Sequence, residues 1–138
     1  MIKNLRSAFF QVFTLSLIWI SLLMTIFLSD SQIAISYIWH IIGIAAVFGI
    51  MFGIVYTVLW DYLTLKPLIN ILISSIMNTL GGLTVVALFS MQMFDLIKAW
   101  IPGILILTIV LHTIIFYFMA GRDASKNAEK LNTLLGKK

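Results

Sequence analysis

The chain has 138 residues, of which 62% are hydrophobic and only 10% charged, and its mean hydropathy is +1.11. Soluble domains carry roughly a quarter charged residues, so a water-soluble globular fold is excluded: no aqueous core could hide this much apolar surface. The net charge is +4, and the absence of cysteine excludes disulfides, thiolate nucleophiles and thiolate metal ligands.

Four stretches, 7–29, 31–60, 67–94 and 99–121, contain no Asp, Glu, Lys or Arg. Each exceeds the roughly 20 apolar residues that cross a hydrocarbon slab about 30 Å thick. The expected fold is an all-α membrane protein. Its membrane domain, 1–121, is an antiparallel bundle of four transmembrane helices, followed by a basic amphipathic tail over 122–138. The remaining connections are too short for a separate catalytic domain, and none is expected.

Span one is predicted over 9–28. The apolar run after Lys3 and Arg6 is longer than the ~7–15 residues of a signal-peptide core, so it reads as an uncleaved first span. A tight turn around Asp30 leads into span two, 33–60, which is longer than a perpendicular crossing needs and should tilt or project. Trp39 near one end, and Trp60 and Tyr62 near the other, suit the two aromatic belts of a bilayer. Within this span Ala45, Gly49 and Gly53 recur at i, i+4, i+8. Small side chains let another helix approach closely, so the stripe reads first as a packing face for a span of the same chain and second as a homodimer face.

The loop from Asp61 to Lys66 is short, making spans two and three antiparallel neighbours. Span three, 68–94, carries Asn70, Ser74 and Asn78 at i, i+4, i+8, with Ser75, Thr79, Gly81 and Gly82 beside them. Polar side chains in lipid seek partners, so this face should point inward, as a hydrogen-bonded network or as a hydrophilic lining for a small solute. Counted along the helices, Asn78 lies ~18 Å from Lys66 and His112 ~15 Å from Arg122. That shared depth predicts an Asn78 to His112 hydrogen bond.

After a turn over 95–100, span four is predicted over 99–121, with Pro102 in its first turn, where a missing N–H costs little. His40 and His112 are the only histidines. A shared haem is one arrangement, but lone imidazoles in spans more often hydrogen-bond another helix, and no cofactor or metal is expected. Every Asp and Glu sits at an edge, which leaves a proton-coupled pump without its buried carboxylate. The chain lacks H-E-x-x-H, G-x-S-x-G, a phosphate loop and a placed carboxylate pair, so it reads as non-enzymatic.

In the tail, Ala124, Ala128, Leu131 and Leu135 fall at helical spacing, with Lys126 and Lys130 off that stripe. A short amphipathic helix follows, able to lie on a leaflet, to dock on a protein, or to stay solvated. Basic residues crowd before span one, at Lys66 and after span four, whereas the other two loops contain only Lys98. The positive-inside rule then puts both termini in the cytoplasm and the chain in the plasma (inner) membrane. Such flanking charge favours anionic lipid over direct nucleic-acid binding.

The layout resembles a family of small four-span proteins of largely unknown function that Gram-positive bacteria often encode beside LytTR-type DNA-binding regulators. The likeness rests on the short loop before Pro67, Trp100-Ile-Pro102 opening span four, Phe116-Tyr-Phe118 near its end, and a tail reading Lys126-Asn-Ala-Glu-Lys-Leu-Asn132. The resemblance implies a membrane-bound inhibitor that holds a cognate transcription regulator through its cytosolic face, with no catalytic residues. Contact would fall on Asp61, Lys66, Lys126, Lys130, Leu131 and Leu135. Three function classes stay open: a protein acting through protein–protein contact, a small transporter, channel or holin-like homo-oligomer lined by the span-three face, and a bacteriocin-type immunity protein.

Overall fold

The computed structural model describes the backbone over residues 2–28, 34–63 and 65–135, and side chains over 4–28, 34–63, 65–118 and 120–121. The described residues are almost entirely helical and include no β-strand. Four helical stretches are long and apolar enough to cross a membrane: Asn4–Phe27, Ile35–Tyr62, Pro67–Phe89 and Met91–Phe118.

Helix α1 runs over Ile2–Phe27, starting well before residue 9, because Lys3 and Arg6 are good helix formers and extend the apolar run smoothly. Span two is composite. A 3₁₀ turn, Ile35–Tyr37, leads into α2, Ile38–Phe48, and the backbone then loosens into two π-helical segments, Gly49–Val55 and Val58–Tyr62. Leu63, in extended conformation (φ −103°, ψ 123°), ends it.

Helix α3, Pro67–Phe89, starts on a proline whose fixed φ and missing N–H suit a first turn. It stops five residues short of the predicted end at 94. Ser90 there turns extended (φ −159°, ψ 118°), and its Oγ accepts the Met93 N–H at 3.3 Å, capping the short helix α4, Met91–Ile97. The predicted turn over 95–100 is therefore mostly helical: the last residues of α4, which include Asp95, lead into a 3₁₀ turn, Lys98–Trp100. Asp95 and Lys98 pair at 2.8 Å and neutralise each other. Helix α5 then runs unbroken over Ile101–Leu135, 35 residues, so the tail continues span four rather than forming a helix of its own.

Helix α1 packs along span two, span two along α3, and α3 along α5. The core lies on the two middle spans: Ile44, Ala45, Met51 and Leu59 of span two and Ile71 of α3 are buried. Nothing in the apolar windows of the first and fourth spans is buried, which makes them the flanks. All four tryptophans, Trp19, Trp39, Trp60 and Trp100, are exposed.

Candidate functional site

The small-residue stripe of span two is where α1 makes its nearest approach. Ala45, Gly49 and Gly53 are all buried. A Cβ at Gly53 would stand 2.6 Å from the Phe9 Cα, and one at Gly49 would stand 2.8 Å from the Phe9 ring. Backbone thus lies against backbone, which only a missing side chain permits. The homodimer face considered for this stripe is occupied by the chain's own first helix.

Span three turns its polar face inward. Asn70, Ser74, Ser75 and Thr79 are buried and Asn78 is half-buried. At about 100° per residue these side chains cover one half of the helix, within the half nearer Lys66 along its length. Ser74 Oγ donates to Asn70 Oδ1 at 3.3 Å. Ser75 Oγ and Thr79 Oγ1 are buried without a partner. Thr84, Thr108 and Thr113 instead donate to the carbonyl one turn back, at 2.7–2.8 Å. On the side of Gly81 the face meets Met51, whose Cγ would lie 2.9 Å from an added Cβ.

His112 does not pair with Asn78. Its Nδ1–H donates to the Thr108 carbonyl at 2.9 Å, which leaves Nε2 to accept the Tyr56 hydroxyl at 2.6 Å. Equal depth fixes only the height of two residues, whereas their position around each helix decides whether they meet. Spans two and four run in the same direction, so contacts between them advance in step: Tyr56 meets His112, and four residues on Trp60 lies 5.7 Å from Phe116, centroid to centroid. Phe48, Phe52 and Tyr56 continue this aromatic line along span two. Sequence reading missed Tyr56 because a single tyrosine in an apolar run looks like any other packing residue.

His40 sits at the other end of the molecule. Its Nδ1–H donates to the Leu88 carbonyl at 2.7 Å, and the Tyr37 hydroxyl donates to the Phe89 carbonyl at 2.6 Å, with the two rings stacked at 5.1 Å. Together they satisfy carbonyls that the last turn of α3 cannot pair internally. With both His112 nitrogens engaged, the two histidines share no ligand. Among the described residues no three His, Cys, Asp or Glu side chains are placed to hold a metal ion.

Asp61 and Lys66 are exposed on either side of the short loop joining spans two and three. Lys126, Lys130, Leu131 and Leu135 fall on α5, and their side chains lie outside the described residues. The arrangement therefore offers helix-to-helix hydrogen bonds, a close-packed seam and an extended terminal helix. Compared with protein-family models, curated proteins and solved structures, the chain matches none.

Proposed function

We propose that this chain is a non-enzymatic bacterial inner-membrane protein, an antiparallel four-helix bundle with both termini cytoplasmic, that holds a cytosolic protein at the membrane. The partner class favoured by the resemblance is a LytTR-type transcription regulator, which the protein would keep inactive. The observation that carries this reading is the unbroken course of α5, which continues 17 residues past Phe118, about 25 Å of helix beyond the last apolar span. A helix that long, carrying apolar residues at 124, 128, 131 and 135, supplies the side on which an amphipathic partner docks. Asp61 and Lys66 share that side of the membrane.

The burial of Asn70, Ser74, Ser75 and Thr79 between helices supports this reading over a pore, because a solute pathway needs those groups wetted. Purification of the full chain from mild detergent, beside a chain ending at Gly121, tests the proposal. The full chain should retain a stoichiometric cytosolic DNA-binding protein and the shortened one should lose it. A partnerless homo-oligomer that passes solutes through vesicles would sink the idea.

A further inference from the structure

We infer that the outward face of α1 is the contact surface for a second copy of this chain. The face is defined by Ser7, Gln11, Thr14, Ile18, Ser21 and Thr25, which follow one another at spacings of 4, 3, 4, 3 and 4 residues and are all exposed. This is the heptad repeat of a parallel helix pair, held over about 27 Å, close to the full hydrocarbon thickness. It lies roughly 140° around α1 from Phe9 and Phe13, the residues that meet the glycines of span two. Intramolecular packing therefore leaves this face uncovered from Ser7 to Ile18, while Ser21 and Thr25, though exposed, border a cavity shared with Ile35 and Ile38 of span two.

Gln11 decides the matter. It sits inside the apolar stretch Asn4–Phe27, about 10 Å along the axis from Asn4, and its carboxamide has no partner among the described residues. Hydroxyls in a span can bond back to their own helix, as Thr25 does to the Ser21 carbonyl at 2.8 Å. A carboxamide, with two donors and an acceptor on a longer stem, has more to satisfy and is costly to leave facing hydrocarbon. Ser7, Phe10, Gln11, Thr14, Leu15 and Ile18 line a shallow, open depression on the same face, which lets an opposing helix approach.

The occupant that fits is the same helix from another copy. Two copies inserted with one topology are necessarily parallel, and a two-fold axis along the membrane normal brings each seam residue opposite itself. Gln11 then faces Gln11, and an amide both donates to and accepts from its twin. No charge lies between residues 7 and 29, so nothing on the seam repels. This inference goes beyond the proposed function and does not rest on it.

Because the native chain is free of cysteine, single substitutions report contacts without background. In membranes under mild oxidant, T14C and S21C should give a disulfide-linked band at twice the monomer mass. W19C and I26C, exposed but roughly 100° or more around the helix, should not. In dilute vesicles, Gln11→Leu should weaken dimerisation about tenfold, as expected when an amide pair with two reciprocal hydrogen bonds is lost, while Gln11→Asn should retain most of it. Cross-linking that is absent at all four positions or equally strong at all four would overturn the inference. So would a band at a foreign mass, or dimerisation unchanged in Gln11→Leu.

Discussion

Tyr56 and His112 hold a proton between two helices, both side chains half-buried. The imidazole is oriented by its own helix, through the Thr108 carbonyl, before it meets the phenol. Hydrogen bonds of this kind in membranes average about 0.6 kcal/mol, because the separated helices find other partners. Tyr56→Phe is therefore expected to cost only about that much in reversible detergent unfolding. The sharper readout is ¹⁵N NMR of His112, whose Nε2 signal should move to that of a ring nitrogen accepting no hydrogen bond; an unmoved signal would contradict the pairing. Asn78 was legible in sequence as an inward-facing polar residue, but the partner of His112, Tyr56, was not. Residue counting gives height along a helix, and the azimuth depends on how the helices pack, which an apolar sequence does not encode in its composition.

Between elements, the decisive dimension is the distance separating α1 from span two. Gly53 presses on the backbone of Phe9, whereas a Cβ at Gly82 would meet nothing within 4 Å. Gly53→Ala must push a helix aside and is expected to cost about 1–3 kcal/mol. Gly82→Ala should be neutral or gain about 0.5–1 kcal/mol by restricting the unfolded chain. Equal effects of the two changes in the same unfolding assay would show that the seam is not close-packed. The small-residue stripe could be read from spacing, and so could the number of spans, because charges punctuate the chain so sparsely. Helix ends were less legible. Ser90 stands between apolar residues with no proline, glycine or charge beside it, and its extended backbone follows from capping α4. The π segments of span two have no sequence signature either; they arise where the helix widens among its neighbours.

For the molecule as a whole, composition was enough to find four helices long and apolar enough to cross a membrane, although the fourth, Met91–Phe118, begins before Asp95 and Lys98 and not at the charge-free stretch after them. The proposed sidedness and partner rest on charge placement and on the length of α5. The exposed tryptophans make the chain its own depth gauge. Trp19 lies well inside its span, 8 residues before Phe27, whereas Trp39 and Trp60 lie near opposite ends of span two. Variants keeping one indole each, reconstituted with lipids brominated at different acyl carbons, should show Trp19 quenched most by bromines near the bilayer centre and Trp39 and Trp60 by shallower ones. A uniform quenching profile would contradict that ordering. An aqueous quencher added to one face only would then separate Trp60 from Trp39, so fluorescence alone reports which way the protein is inserted.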